Sequence, residues 1–342
     1  MRVTIKDVAE RAGVSITTVS RVFNGYTDIS EKTKGRITKI AHEMNYTPNA
    51  AARTLSSKKQ KTIALILNDL ELNRKTTMSM EVLSGVYQFT EDEDIEFVFF
   101  ATTSLKQKEK NFQQFCNEKN ITGAVIQGLR VDDQYYKEIF HSQIPVVLID
   151  IDINLENIGS TSIDNIQAAR EAVDYLIQLG HTNIAMLNGR REATVSMERE
   201  AGYLQALKKK NLPFVQDYVQ YANFSEEIAG AMTQDIIQRH SEVTAIFCAS
   251  DLMAIGAMKA IQSVGLSVPE DISIIGFDDI VLAQYLSPTL SSVTQDMKLI
   301  GYEAAKLLNK LMLGEKTSHR MFVPHELKIR GSVGPIKVGH NQ

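Results

Sequence analysis

Thr4-Ile5-Lys6-Asp7-Val8-Ala9-Glu10-Arg11-Ala12-Gly13-Val14-Ser15-Ile16-Thr17-Thr18-Val19-Ser20-Arg21-Val22-Phe23 encodes two short helices joined by a tight turn. Thr4 and Asp7 form a capping-box pattern, and Ile5, Val8, Ala9 and Ala12 share one helical face at i, i+3, i+4, i+7 spacing. Gly13 stops that helix, because glycine accepts the left-handed conformation after a helix end, and Ser15 caps the next. Burying Val19, Val22 and Phe23 turns Ile16, Thr17, Ser20 and Arg21 outward, where a recognition helix presents side chains to the DNA major groove. A third helix from Ser30 carries Ile37, Ile40, Ala41 and Met44 inward, so three helices close one small core.

Charge sorts the same way. Residues 1–60 hold 11 Lys or Arg against 5 Asp or Glu, while the whole chain carries a formal net charge of −4, which leaves the remainder near −10. Lys6, Arg11, Arg21, Lys32, Lys34, Arg36, Lys39 and Arg53 are candidate phosphate contacts, whose affinity falls steeply with salt. A helix-turn-helix spacing that coincides with local basic charge points to nucleic acid more strongly than either feature alone.

The run from Thr4 to Leu55, with T-I-K-D-V-A, A-G-V-S, T-V-S-R-V and N-Y-T-P-N-A-A-A-R-T-L, resembles the N-terminal head of the LacI/GalR family of bacterial transcription regulators. The resemblance implies that the segment from Ala50 to about Ser57 is a hinge helix, which folds when paired with its dimer mate in the DNA minor groove. Leu55 is then the apolar wedge, with Ala52 beside it and Asn49 and Arg53 near the backbone. Eight residues are too few for a helix stable alone in water, which agrees with folding on DNA. Thr4, Ser15, Asn24 and Tyr46 complete the expected backbone contacts.

A chain of 342 residues is too long for one typical core. From Thr62 onward, short apolar runs alternate with helical patterns. Buried strands are expected at residues 62–67, 95–101, 121–126 and 145–150, and a second series follows at 183–187, 244–249 and 272–277. Helices are expected over 105–118, 166–179, 196–210, 226–238 and 253–264. This alternation specifies parallel sheets covered by helices. The expected fold is a small all-α helix-turn-helix DNA-binding domain plus an α/β core of two parallel-sheet subdomains. The expected boundaries are 1–48 for the headpiece, 49–61 for hinge helix and linker, 62–160 with 291–323 for one core subdomain, and 161–290 with 324–342 for the other.

Open parallel sheets bind ligands at the carboxyl ends of their strands. Asp69, Asp150, Asn188, Ser250, Asp251, Asp278 and Asp279 follow candidate strands, and Arg199 lies on a helix beyond the Asn188 strand. Carboxylates beside an arginine suit a polyhydroxylated ligand, whose hydroxyls donate to one and accept from the other. The stretches L-G-H-T-N-I, R-E-A-G-Y-L-Q-A-L, A-S-D-L-M-A-I-G-A-M-K-A-I, V-P-E-D-I-S-I-I-G-F-D-D and L-S-S-V-T-Q-D-M resemble the family's effector core, which is periplasmic-binding-protein-like. The resemblance implies that Arg199 and Asp278 hold effector hydroxyls, with Asp69, Asp150, Phe224, Ser250 and Gln295 around them, while Asp251 caps its helix. Where many relatives carry an Asn-Pro-Phe-type segment, this chain has Asn68-Asp69-Leu70-Glu71-Leu72-Asn73-Arg74.

Seven scattered histidines and two cysteines show no metal-ligand spacing and no nucleophile dyad, so neither an enzyme, a metal nor a cofactor is expected. With no apolar leader and no run of 18 apolar residues, a cytoplasmic chain without membrane contact is expected. The ten residues after Ser332 contain no leucine heptads, so no coiled-coil tetramerisation tail is expected. The expected partners are double-stranded pseudopalindromic operator DNA, a sugar or sugar-phosphate effector, and a second copy of the chain in a twofold homodimer. The resulting reading is a repressor of carbohydrate-utilisation genes. Two alternatives were weighed: a global catabolite-type regulator that docks a phosphoprotein corepressor near Lys306 and Lys310, and a sugar-binding module without DNA function.

Overall fold

The structure is a computed structural model that describes residues 3–23, 26, 28–46, 61–68, 76–153, 155 and 157–336. Two compact units divide between Lys61 and Thr62. In the first, α1 (Ile5–Ala12), α2 (Ile16–Phe23) and α3 (Glu31–Glu43) close on Val8, Ala9, Ala12, Val19, Ile37 and Ala41, with Val22, Phe23, Met44 and Tyr46 packed around them. The ends are made as the sequence requires. The Asp7 carboxylate accepts from the Thr4 backbone N–H at 2.7 Å and the Thr4 hydroxyl at 2.8 Å, and Gly13 sits at φ 62°. Ser15 Oγ accepts the Thr18 N–H at 3.1 Å.

The second unit contains two six-stranded sheets. The first takes β1 (Thr62–Asn68), β2 (Glu96–Thr102), β3 (Gly123–Gln127), β4 (Val146–Ile149), β5 (Ile158–Ser162) and β11 (Arg320–Phe322), in the order β11-β5-β4-β3-β1-β2 and parallel throughout. The second takes β6 (Ile184–Asn188), β7 (Val219–Tyr221), β8 (Ala245–Cys248), β9 (Ser273–Asp278), β10 (Ser291–Gln295) and β12 (His325–Lys328), in the order β12-β10-β9-β8-β6-β7, with only β12 antiparallel. In each sheet the strand order reverses beside the first strand laid down, which is the switch point where a doubly wound sheet opens a crevice.

Helices α4 (Thr76–Asp92), α5 (Ser104–Gln107), α6 (Phe112–Glu118) and α7 (Gln134–Ile139) belong to the first sheet's half. Helices α8 (Asn165–Gln178), α9 (Thr194–Lys209), α10 (Glu226–Arg239) and α11 (Asp251–Ser263) belong to the second, and α12 (Met297–Met312) returns to pack on α4, β4 and β5. The chain therefore crosses between the sheets three times, after Ser162, Gln295 and Phe322.

Several expectations are corrected. Ser291–Gln295 does not open the return to the first half, because β10 pairs parallel with β9 and antiparallel with β12; the crossing falls after Gln295. Likewise β5 runs to Ser162 in the first sheet, two residues beyond the expected boundary. The single helix over 105–118 is two helices, the second started by Asn111, whose side chain accepts the Gln114 N–H at 2.8 Å. Strand β2 is not fully buried; it is a sheet edge and half of it faces out. Helix α4 and strands β5, β7, β10, β11 and β12 lay outside the expected series.

Helix α4 and helix α12 approach backbone to backbone at two glycines. A Cβ on Gly85 would stand 1.9 Å from the Lys298 carbonyl oxygen, and one on Gly301 would stand 2.3 Å from that of Val82. In an unpacked helix Gly→Ala gains roughly 0.5–1 kcal/mol. Here overpacking against immovable backbone reverses the sign, and we expect Gly85→Ala to lower unfolding free energy in urea by about 1–3 kcal/mol. A neutral or stabilising result would show that the two helices separate without cost.

Candidate functional site

The strand ends of both sheets carry most of the predicted effector residues that the structure describes, and Arg199 is their centre. Its side chain rises from α9 and is 3% exposed. Its Nε donates to Asn165 Oδ1 at 2.9 Å, and one terminal nitrogen donates to the Ala249 carbonyl at 2.6 Å. The guanidinium lies 3.6 Å from the Phe277 ring centroid, and Asp278 Oδ1 is 3.9 Å away. Burial draws the Arg199 pKa down, while Asp278, Asp150, Glu198 and Asp251 pull it back toward its ordinary value. A buried guanidinium needs such partners, since an unpaired charge away from water costs several kcal/mol.

Asp278 is held from a second side, where Gln295 Nε2 donates to Oδ1 at 2.7 Å. The Gln295 amide oxygen is buried and accepts nothing. Asp150 stands at the end of β4 and accepts the Ser162 hydroxyl at 2.6 Å; burial pushes its pKa up, against the opposing pull of that hydroxyl and of Arg199. Asp150, Arg199, Asp278 and Gln295 are thus brought together, one from the first sheet and three from the second half. Three of the carboxylates here sit at positive φ, Asp150 at 63°, Asp278 at 109° and Asp279 at 53°. Non-glycine residues in that region cost about 1–3 kcal/mol each and persist where function requires a side chain aimed against local preference.

Other predicted residues stand differently. Ser250 caps α11, its Oγ accepting the Met253 N–H at 3.3 Å. Asp251, expected to be the cap, is instead the first helical residue and acts as a buried strut, accepting the Ser292 hydroxyl at 2.6 Å and the Ile280 N–H at 2.8 Å. Burial, and then the neighbouring Asp278, push its pKa well up. Phe224, at φ 58°, lays its ring over Gly189, where a Cβ would meet it at 2.0 Å. Asp279 is neutralised by Arg330 at 2.7 Å and Lys328 at 3.3 Å. Asp69 lies outside the described residues, but the preceding Asn68 is fixed by bonds to the Gly128 carbonyl at 3.1 Å and Asp133 at 2.9 Å.

Apart from the predicted Asp150, residues that sequence reasoning missed line a hollow where the two halves cross. Asp150, Asp152, Ser162, Glu198, Arg320 and Phe322 form its walls. Glu198 accepts from Asn165 Nδ2 at 3.1 Å, so the same asparagine holds both Glu198 and Arg199. Burial first, then Asp150, raise the Glu198 pKa to about 7. Arg320 is tied to Asp152 at 2.9 Å and stacks 4.4 Å over the Phe322 ring. The only local signal was a carboxylate immediately before Arg199.

On the headpiece, Ile16 is 43% exposed and Thr17 is exposed beside it, while Ser20 and Arg21 are half-buried on the same helix. Arg21 is less open than expected, because it pairs with Asp28 and lies 4.9 Å from the Tyr26 ring centroid. The hydroxyls of Thr4 and Ser15 serve as helix-end partners, and Tyr46 packs on Phe23 at 5.9 Å between centroids. Asn24, Asn49, Ala52, Arg53 and Leu55 lie outside the described residues. Among the described residues no helix is long and apolar enough to cross a membrane, and no cluster of His, Cys, Asp or Glu is arranged to hold a metal ion.

Comparison with known proteins agrees with both halves of this picture. Residues 4–49 match the family of bacterial regulatory proteins named for lacI, and residues 173–333 match a periplasmic binding protein-like domain. The chain is 33% identical over 333 residues to the probable HTH-type transcriptional repressor ExuR of Bacillus subtilis (strain 168), covering 97% of this chain and 98% of that protein. Among solved structures it resembles a lac repressor dimer bound to operator and the anti-inducer ONPF, with a TM-score of 0.83, 26% identity, and coverage of 98% of this chain and 100% of that one. It also resembles a complex of the transcriptional regulator CelR with cellobiose, with a TM-score of 0.73, 28% identity, and coverage of 97% and 100%.

The raised Glu198 pKa has a stability consequence. Folding holds a proton on Glu198 that the unfolded chain releases near 4.5, so its contribution is complete below that pH and is lost as pH rises through about 7. Glu198→Gln removes the charge, and its melting temperature relative to the parent should rise between pH 5 and pH 8. An identical difference at both pH values would contradict the burial argument.

Proposed function

We infer function from kinship: the chain belongs to the lacI family of bacterial regulatory proteins, and it is a DNA-binding transcriptional regulator with an effector core. In our reading it is a repressor of carbohydrate-utilisation genes that binds a pseudopalindromic operator as a homodimer. Residues 1–48 read DNA, residues 49–61 form hinge helix and linker, and a sugar closes on the cleft between the two sheets. Ile16, Thr17, Ser20 and Arg21 contact bases, and Leu55 wedges the minor groove, with Thr4, Ser15, Asn24, Tyr46, Asn49, Ala52 and Arg53 on the backbone or beside the wedge. Such a protein works in the cytoplasm, where its DNA lies, and its site residues serve binding and no catalysis.

The observation that carries the effector reading is the ion pair of Arg199 with Asp278 in the second half, with Asp150 of the first half close enough to act on Arg199 electrostatically. A polyol that accepts from the arginine and donates to the carboxylates gains most when the two sheets close on it. In this reading, closure of the two halves about the three crossing segments is the event that a sugar effector favours. Couplings of this type amount to about 1–3 kcal/mol, or roughly 5- to 150-fold in operator affinity. The phosphoprotein alternative is weakened only at Lys306, which is paired with Glu303 at 2.9 Å and as a lysine offers no bidentate phosphate contact.

A thermal-shift screen of sugars on the full chain, repeated with operator DNA, identifies the effector and the sign of the coupling together. With that effector, Arg199→Lys and Asp278→Asn should each abolish the change in operator affinity measured by fluorescence anisotropy. A response that survives in both places the effector elsewhere. Thr17→Ala should weaken operator binding about tenfold at constant salt, the loss of roughly 1–3 kcal/mol that one base contact supplies; an unchanged affinity would remove Thr17 from the reading surface.

A further inference from the structure

Among the described residues, the hollow between the two halves holds more acid than its arginines neutralise, and that balance bears on the kind of ligand it takes. Asp150 and Glu198 line the same hollow, and both act on Arg199, whose guanidinium stands 3.9 Å from Asp278. Arg199 acts on all three of these carboxylates, and it is already engaged by Asn165, Ala249 and the Phe277 ring. Arg320, the other guanidinium facing Glu198, is engaged by Asp152 and stacked on Phe322. Asp152 faces Glu198 from the same side, so the groups around Glu198 are Asp150, Asp152, Arg199 and Arg320.

Hydrogen bonding leaves the same surplus. Asp150 accepts one side-chain hydrogen bond, from Ser162, and Glu198 accepts one, from Asn165, although a carboxylate has about four acceptor positions. Independently, the Gln295 side chain is only 6% exposed, its nitrogen is held on Asp278, and its oxygen has no donor. Native proteins leave few buried acceptors unmet, and one in a cleft points to a donor that arrives with the ligand. Among the described residues the hollow is thus rich in acceptors and poor in free donors, the reverse of a site for phosphate or carboxylate.

We infer that the effector is a sugar bearing a cationic nitrogen, an ammonium group that seats against Asp150 and Glu198, and not a sugar phosphate or sugar acid. The inference rests on the cleft being the effector site. An ammonium supplies three donors and no acceptor, and its charge offsets the crowding of the two carboxylates. The elevated proton affinity of Glu198 is the ligand-free counterpart: without the cation, that carboxylate carries a proton at neutral pH part of the time.

The test is calorimetric binding to the full chain at pH 7, using four matched sets built on glucose, galactose, mannose and cellobiose. Each contains the parent sugar, its 2-amino derivative, the N-acetylated amine, the uronate and the 6-phosphate. The inference expects at least one amine to bind tenfold or more tightly than both its parent and its N-acetyl form, with the uronates and phosphates weaker than the parents. Glu198→Gln should bring the ratio of amine to parent affinity close to one, and Glu198→Asp should keep the preference, which separates lost charge from lost fold. A parent sugar, N-acetyl sugar, uronate or phosphate that binds as well as the amine overturns the inference but leaves the cleft reading standing. Silence across every set overturns the sugar reading itself, and the inference with it.

Discussion

The core of this protein is organised around a positive charge that has been taken out of water. Arg199 is nearly inaccessible, and a guanidinium in that position is tolerable only if its donors find acceptors and a counter-charge lies close. Asn165 at the start of α8, Ala249 after β8 and Asp278 at the end of β9 meet that demand together. Each belongs to a different connection, so the charge cannot be accommodated unless three loops are in register. Asp150 adds a fourth partner from the other sheet, which makes the arginine sensitive to the separation of the two halves.

Around that centre the loops are stiffened by polar groups that do no binding. Asp251 fixes the backbone of Ile280 and the hydroxyl of Ser292, and this bracket holds the residues on either side of Asp279. The bracket needs Gly276, because a Cβ there would stand 2.1 Å from the Asp251 carboxylate. The positive φ at Asp150, Asp278 and Asp279 is sustained by strands β4 and β9, which are almost wholly buried. Buried strands below and carboxylates held by hydrogen bonds above give a cleft whose groups are positioned by the two sheets.

How far residues could be read ahead of the structure depended on whether their role was local. The capping of α1 by Thr4 and Asp7, the stop at Gly13 and the inward set Val8, Ala9, Ala12, Val19 and Ile37 follow from spacing alone, since every partner lies within a few turns. Helix α4 escaped notice because its apolar residues spread around its circumference; what stabilises it is contact with α12, more than 200 residues later. The capping role expected of Asp251 falls to Ser250 for a similar reason. Either can cap a helix, and the choice was made by Ser292 and Ile280, which the sequence places some forty and thirty residues away.

By itself, the sequence determined the kind of protein: a basic helix-turn-helix followed by alternating strands and helices, with carboxylates and an arginine at strand ends. Those features are periodicity, capping chemistry and charge, and they act over one or two turns of chain. Only the tertiary structure decided the inventory of the cleft. Glu198 next to Arg199 reads as an ordinary surface glutamate on α9 until Asp150, Asp152 and Arg320 come in from the opposite half. Electrostatic and desolvation energies depend on distance through space and on excluded water, and neither quantity exists before both sheets are in place.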